Sequence, residues 1–314
     1  MEDRLQHIPA KNEEALFSLQ FSIVLVEHLR VISQVLRKRH TLAPNAYSTL
    51  VVLDVLKRPI DATTLTNYLV FKQGTLLAIL AALEDRGFVH KDIDPIDERC
   101  MLVSLTSAGQ VIARQLASEV AQLMAETFWR SRPTSDYLVP LLELEDHLEK
   151  VRGFSVQIDP LEKRSTGLTH ALLFRIIRLI IDAWTQTTKQ QDGLSFNEGR
   201  VLLLLEHFGE LTPSEIAQRL RLARSGVSLN LARLSDLLLV NSFQNLSDGR
   251  VKVFRCTYKG LRHSRELFAA LRKTTSDVYG NYSDDAVITL NEQHMGMYRD
   301  LGFVQERLDI ILSE

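Results

Sequence analysis

Apolar residues recur at helical spacing along most of the chain, and short runs of alternating character interrupt them in two places. Glu13 to Arg39 carries apolar side chains around too wide a face for a surface helix, which predicts burial against a partner element. Pro44 to Leu56 predicts a second helix, because proline is tolerated at a helix start. Asp61 then offers an N-cap for a third. The pattern predicts a mostly helical protein.

The stretch from Ile60 to Gly109 organises the chain. Two helical patterns, at 62–69 and 72–86, are separated by a tight turn, which is typical of a helix-turn-helix. Two β-like runs joined by a polar tip follow, and a helix opens at Thr106. Because the tip and its flanking runs predict a hairpin, the stretch is interpreted as a winged helix-turn-helix.

The same pattern occurs again 151 positions later, without a gap. The matched positions are Leu65 and Ile216, Leu69 and Leu220, Leu83 and Leu234, Val89 and Val240, Asp97-x-Arg99 and Asp248-x-Arg250, and Thr106-x-x-Gly109 and Thr257-x-x-Gly260. We interpret this coincidence as an internal repeat. It predicts a first unit at 1–151, a linker at 152–167 and a second unit at 168–314.

At these residues the chain resembles the MarR family of transcriptional regulators. In the first copy the resemblance rests on Leu83-Glu-Asp-Arg-Gly-Phe-Val89 and on 97–109; in the second it rests on Asp248-Gly-Arg250 and Thr257-Tyr-Lys-Gly260, with Leu238 where the family usually has glycine. Family members are normally single-copy homodimers. The resemblance therefore implies a mostly α fold with two small β-wings, in which tandem winged helix-turn-helix domains form a single-chain pseudo-dimer. It also implies a transcriptional regulator, more specifically a repressor, that binds double-stranded DNA. Because the two copies have diverged, we expect its operator to be imperfect.

Charge is distributed unequally between the copies. The whole chain has a formal net charge of −2, although a nucleic-acid binder is expected to show a local basic footprint. Matched windows differ: 219–262 has a net charge of +7, whereas 68–111 has a net charge of −2. The second copy is therefore expected to supply most of the attraction to phosphate.

The second recognition helix carries the stronger candidates for DNA contact. Arginine reads guanine, and serine hydroxyls at a helix N-terminus bind phosphate. The candidates are Arg221, Arg224, Ser225 and Ser228 on the helix, and Arg250 and Lys252 on the wing. The resemblance implies that Arg250 enters the minor groove while Asp248 holds it. The alternatives are a solubilising surface arginine and an Asp–Arg pair that only locks the hairpin.

The first copy offers fewer candidates. Lys72, Gln73 and Thr75 are placed to reach a base edge or a phosphate, and Arg99 occupies the wing. Leu77 and Ala78 are apolar where the family typically has polar readers. An equally open interpretation is that this helix packs against something else or contributes little specificity.

Regulators of the resembled family commonly bind small aromatic or phenolic ligands between the helical base and the winged helices. The residues that would border such a crevice here are His28, Tyr47, Arg175, Arg178 and Trp184. The alternative is that these side chains only pack.

No catalytic constellation stands out, so we expect no enzyme, no cofactor and no metal site. Two cysteines are too few for a disulfide framework, and the sequence shows no apolar run of membrane-spanning length and no signal peptide. We expect a cytoplasmic protein that is pseudo-dimeric as a monomer, with a higher oligomer left open. An alternative from another class is a winged-helix scaffold of the ScpB type that binds protein.

Overall fold

The structure, a computed structural model, describes residues 17–69, 71–130, 166–244, 252–279 and 284–313. The predicted fold class is confirmed: the described chain is mostly helical, with small strands in winged helices. Apolar spacing also predicts a helix at 135–150. This segment and most of the predicted linker lie outside the described residues. The next described helix begins at Thr166, inside the last two residues of the predicted linker.

The described elements of the first half are α1 (Leu19–His40), α2 (Pro44–Leu56), β1 (Ile60–Asp61), α3 (Ala62–Leu69), α4 (Gln73–Asp85), β2 (Val89–Ile93), β3 (Met101–Leu105) and α5 (Ser107–Glu126). Those of the second half are α6 (Thr166–Asp192), α7 (Phe196–Phe208), α8 (Pro213–Leu220), α9 (Arg224–Asp236), β4 (Val240–Gln244), β5 (Lys252–Cys256), α10 (Tyr258–Tyr279), α11 (Asp284–Arg299) and α12 (Leu301–Ser313).

In the N-terminal winged helix, α3 and α4 form the helix-turn-helix and three antiparallel strands form the wing in the order β1-β3-β2. The Asp61 cap is confirmed: its carboxylate accepts the backbone N–H of Thr64 at 2.8 Å. The hairpin pairs Val89 with Leu105 and Ile93 with Met101. The strand register therefore sets where the wing stands beside the recognition helix α4.

The C-terminal winged helix has α8 and α9 as its helix-turn-helix and a two-stranded wing of β4 and β5. A single bridge between Leu211 and Phe254 occupies the place of a third strand. The sequence Thr212-Pro-Ser-Glu215 predicts a capping box, and the structure confirms it: the Thr212 and Glu215 side chains each accept the other's backbone N–H at the start of α8. These bonds also lower the pKa of the Glu215 carboxyl.

Both wings join the following helix through the same close contact. The Thr106 and Thr257 side chains each accept the N–H of a glycine three residues later, at 3.0 Å. A Cβ on Gly109 would lie 1.9 Å from the Phe88 carbonyl oxygen, and one on Gly260 equally close to that of Leu239. Glycine is therefore required at both positions because the backbone of the preceding segment fills the space.

Leu238 adopts the conformation that the resembled family usually gives to glycine. Its φ is +57°, close to the +71° of Gly87 at the matching position of the N-terminal winged helix. A leucine in this left-handed region is uncommon, because its Cβ crowds the backbone. The turn after α9 is thus retained at some cost in strain.

Packing divides the chain differently from the sequence. One compact unit, the C-terminal unit, takes its described residues from 17–25 and 180–298; the other, the N-terminal unit, takes them from 26–179 and 299–313. The division falls inside α1 and α6, so each unit contains a winged helix and segments from the other half of the chain. The predicted boundaries at 151 and 167 stay a prediction about the repeat.

Trp184 is the centre of the C-terminal unit's aromatic core. Phe17 and Phe21 meet its ring edge-on, with centroids at 5.0 and 5.5 Å, and Phe196 stacks on it at 5.6 Å. Its indole N–H donates to the Thr275 hydroxyl at 2.8 Å, so the one polar atom of the buried ring has a hydrogen-bond partner.

Helix α12 packs in the N-terminal unit and is fixed by the basic end of α1. Lys38 donates to the Leu312 carbonyl, and Arg39 donates to that of Ile311 at 2.5 Å. At the other side Arg307 pairs with Glu126 at 2.5 Å. The cluster 37–40 therefore satisfies the carbonyls that end a helix.

Apolar spacing along the sequence predicts one terminal helix from Ser283 to Leu312, and this prediction is wrong. It is broken between α11 and α12 at Asp300. The two parts fall into different compact units, and the break accompanies that separation.

By length and composition, α1 is the one helix of the described residues that could cross a membrane on its own, with a mean hydropathy of 1.3. The helices α3 and α4, which are bent relative to each other, could do so only as a pair. The helix is long enough for a span, but Glu27 and Arg30 interrupt its apolar residues. Because 61% of the most apolar window of α1 is buried, this helix has the character of a protein core helix.

The glycine contact yields a stability prediction. Gly260→Ala should lower the free energy of unfolding by about 1–3 kcal/mol, because its methyl group would overlap a carbonyl. Gly226→Ala is the matched control: it lies in α9 with no atom near its Cβ position, and should raise stability by up to about 1 kcal/mol. Urea unfolding of both variants measures the difference; equal effects would contradict the assignment.

Candidate nucleic-acid interface

The start of α9 is presented to solvent by packing on its opposite face. Val227, Leu231 and Leu234 are buried, whereas Arg224 and Ser225 are exposed. The backbone turns sharply before α9 at Arg221, which has a φ of +52°. The N-terminus of α9 therefore offers backbone N–H groups beside a cation, an arrangement that suits a phosphate or a base edge.

The exposed face of α9 continues beyond the predicted residues. Ser228 is exposed and donates to the Arg224 carbonyl at 3.1 Å. Leu229, with 73% of its surface exposed, and Arg233 extend the same face by one turn. The sequence analysis missed both, although their helical spacing from Ser225 was a usable signal. An apolar side chain here suits contact with a thymine methyl.

Several cations of the C-terminal unit already have partners within the same chain. Arg219 lies over the Phe208 ring at 4.2 Å, Arg255 pairs with Glu210 at 3.2 Å, and Lys259 donates to the Leu237 carbonyl at 2.9 Å. The net charge of 219–262 thus overstates what can face a ligand. Arg224, Arg233 and Lys252 are exposed, and Lys252 begins the second wing strand. Asp248 and Arg250 lie outside the described residues.

The N-terminal winged helix presents a different surface. Lys72, Gln73 and Thr75 are exposed at the start of α4, but Leu77 follows with 41% exposure. Asp97 accepts the backbone N–H of Arg99 at 3.0 Å, so this carboxylate shapes the wing turn. Arg99 itself is exposed. The predicted residues are present at the surface, but among apolar and acidic neighbours.

Each helix-turn-helix is held by a buried arginine that donates to the end of its first helix. Arg200 of α7 donates to the carbonyl of Leu220 at 3.2 Å. Arg175 of α6 donates to the carbonyl of Tyr68, and its guanidinium lies 4.5 Å from that ring centroid. Sequence analysis missed Arg200, although a charge inside an apolar helical run was a signal for it.

The ligand candidates do not form one cluster in the described structure. His28, Tyr47, Arg175 and Arg178 belong to the N-terminal unit, whereas Trp184 belongs to the core of the other unit. His28 stacks on Phe128 at 3.7 Å. Arg178 donates to Asn45 and lies 5.2 Å from the Phe71 ring. Burial raises the pKa of the Tyr47 hydroxyl. All five side chains therefore already take part in packing or hydrogen bonding.

The two thiols are poorly suited to redox or nucleophilic chemistry. A hydrogen bond to Asp97 raises the pKa of Cys100, and burial raises the pKa of Cys256 to about 12. Within the described residues, no group of histidine, cysteine or carboxylate side chains has the arrangement of a metal site.

The geometry defines a winged helix-turn-helix protein. Residues 192–245 match the sequence model of the MarR family, a segment that contains α7, α8, α9 and β4. The C-terminal winged helix is therefore similar in sequence to that family. No curated protein matches the chain.

Several solved structures are similar to parts of the chain. A mutant of ZitR from Lactococcus lactis is 26% identical, over 27% of this chain and 57% of that one, with a TM-score of 0.26. Apo MarR from E. coli is 18% identical over 43% and 93%, with a TM-score of 0.35. CouR from Rhodococcus jostii RHA1 bound to p-coumaroyl-CoA is 20% identical over 43% and 89%, with a TM-score of 0.34.

The arginine contact in the N-terminal unit yields the second prediction. Arg175→Met should lower the free energy of unfolding by about 1–3 kcal/mol, because the buried carbonyl of Tyr68 loses its donor. Arg114→Met is the control, since its ion pair with Asp54 is on the surface and should contribute less than about 1 kcal/mol. Chemical denaturation compares them, and a similar loss in both would refute the role of Arg175.

Proposed function

We propose that the protein is a transcriptional regulator, and more specifically a repressor, that binds duplex DNA as a single-chain pseudo-dimer. The observation that carries this proposal is the exposed N-terminal half of α9, held in a helix-turn-helix and lined by Arg224, Ser225 and Ser228. Such a helix enters the major groove with its first residues against the bases. A covalent pseudo-dimer would hold two recognition helices without a second chain.

The C-terminal winged helix supplies most of the affinity in this proposal. Arg224 reads base edges, Arg221 and Lys252 contact phosphates, and Arg250 reaches the minor groove, where narrow regions attract arginine. Lys72, Gln73, Thr75 and Arg99 of the N-terminal winged helix make a smaller contribution. The operator is therefore imperfect, with one half-site bound more strongly than the other.

A ligand-responsive form of this regulator is part of the proposal. A small aromatic or phenolic ligand would enter beside His28, Tyr47, Arg175 and Arg178, while Trp184 would act through packing in its own unit. The bond of Arg175 to Tyr68 supports this idea, because it ties α6 to the helix-turn-helix. A ligand that competes for the arginine would shift the protein between states of different DNA affinity. We place the protein in the cytoplasm.

The alternative is a scaffold of the ScpB type, whose winged helices bind protein. The acidic N-terminal wing favours it, and the basic C-terminal winged helix favours DNA. Gel shifts of the full chain at low and high salt on the duplex upstream of its own gene discriminate the two. A regulator gives a shift that weakens with salt, whereas a pure scaffold gives no shift at either concentration.

The asymmetry between the winged helices yields the third prediction. Arg224→Ala/Arg250→Ala should weaken DNA binding and make the slope of log K against log salt shallower by about 2, because each cation removed from the DNA surface lowers counterion release by about 0.9. Lys72→Ala/Arg99→Ala is the matched control and should change the slope far less. Fluorescence anisotropy across a salt series measures both slopes. Equal losses in the two variants would exclude the asymmetry.

The ligand response yields the fourth prediction. An aromatic carboxylate that binds should release the DNA probe from the wild-type chain, and Arg178→Met should abolish that release while leaving binding to DNA intact. Salicylate and p-coumarate are suitable probes in the same anisotropy assay. Release that persists undiminished in the variant would rule out a role for this arginine.

A further inference from the structure

The N-terminal winged helix has a surface that is unusual for contact with a polyanion. We define its N-terminal recognition face as the exposed side of α4 together with wing residues 92–99. Three large apolar side chains of this face are exposed: Leu77 by 41%, Ile93 by 69% and Ile96 by 95%. Ala78, Ala81 and Ala82 continue the apolar side of α4. Exposed apolar side chains grouped in this way indicate an interaction site.

The helix and the wing lie side by side in this face. Lys91 of β2 pairs with Glu84 at the end of α4, at 2.5 Å. Ile93 stands two residues further on, and side chains two apart in a strand share a face. Ile93 therefore lies on the side of the wing that is turned toward α4. Leu77 lies two helical turns before Glu84, so it shares the side of α4 that faces the wing.

Carboxylates surround the apolar side chains of the wing. Asp92, Asp97 and Glu98 are exposed, and Asp94 is half-buried. Asp94 and Asp97 also fix the turn by accepting the backbone N–H groups of Ile96 and Arg99. The hydrogen bond and negative charge of Asp97, with smaller contributions from the neighbouring carboxylates, raise the pKa of the Cys100 thiol. A phosphate backbone would be repelled here.

Nearby cations offset only part of this charge, because wing residues 92–99 hold four carboxylates against one arginine, Arg99. Lys91 is paired with Glu84, and Arg86 donates to the carbonyl of His40 at 3.2 Å. The comparison with the other winged helix is direct, because α4 and α9 both have 13 residues and their buried positions coincide. Gln73 stands where α9 has Arg224, and Ala82 stands where it has Arg233.

We propose that the N-terminal recognition face binds a protein, through a basic amphipathic segment of the partner. Apolar side chains of that segment would cover Leu77, Ile93 and Ile96, and its lysines or arginines would meet the wing carboxylates. Charge complementarity of this kind sets partner choice, and the apolar side chains contribute most of the binding free energy. This inference does not depend on DNA binding by the C-terminal unit. Together they describe a protein whose C-terminal winged helix supplies most of the hold on DNA, while the wing and apolar side of the N-terminal one also bind a protein partner.

A peptide titration on the full chain tests the proposal. The probe is a fluorescent synthetic peptide of leucine and lysine at amphipathic helical spacing, with a matched peptide in which glutamate replaces lysine. The wild-type chain should bind the lysine peptide and not the glutamate peptide. The variant Leu77→Ser/Ile96→Ser carries the residue type found at the matching position of the C-terminal copy, Ser228 and Ser247. It should bind the lysine peptide at least about tenfold more weakly, since two buried apolar side chains are lost.

Controls separate the face from general stickiness. Leu229→Ala gives the C-terminal winged helix the alanine found at the matching position, Ala78, and should leave peptide affinity unchanged. Circular dichroism checks that both variants fold, and duplex binding should persist in the Leu77→Ser/Ile96→Ser variant. Unchanged peptide affinity in that variant would overturn the proposal. So would loss of its DNA binding, or sedimentation that shows the wild-type face occupied by a second copy of the chain.

Discussion

The structure depends on one kind of contact, the bond from a buried arginine to the last carbonyls of the first helix in each helix-turn-helix. Arg200 makes it to Leu220 from α7, inside its own winged helix. Arg175 makes it to Tyr68 from α6, a helix encoded far away in the sequence. Because a buried carbonyl without a donor is costly, each arginine fixes the turn that aims the recognition helix. The two winged helices thus share a requirement but meet it from different helices, which makes their attachment unequal.

Much of the fold could be predicted from the sequence because local signals carried it. Asp61 and Thr212 mark helix starts by their capping chemistry, and Thr106 and Gly109 mark the return from the first wing. The packing of residues 17–25 in the C-terminal unit and of 299–313 in the N-terminal unit could not be predicted in this way. Periodicity shows that α12 has a buried face, but not which helix covers it; the partner at the end of α1 is set by long-range contacts of Lys38 and Arg39.

The candidate site was predictable in chemistry but not in detail. A cation at the start of α9 is readable from its position, and the acidic character of the first wing is readable from composition. The sequence does not reveal that Arg219 lies over a ring, that Arg255 pairs with a carboxylate and that Lys259 donates to a carbonyl of the same chain. It also suggests a ligand role for Trp184, whose ring is instead enclosed by phenylalanines. Formal charge is therefore a poor measure of the charge available to DNA, because partners inside the fold are invisible along the chain.

The distribution of the compact units has a consequence for how the chain is made. Residues 299–313 belong to the unit that holds the N-terminal winged helix, and they leave the ribosome only after the whole C-terminal winged helix. The first-synthesised winged helix must therefore wait, with part of its apolar surface uncovered, until the rest of the polypeptide has emerged. During that interval it is exposed to misassembly with neighbouring chains. The N-terminal winged helix is thus synthesised before the segment that completes its packing.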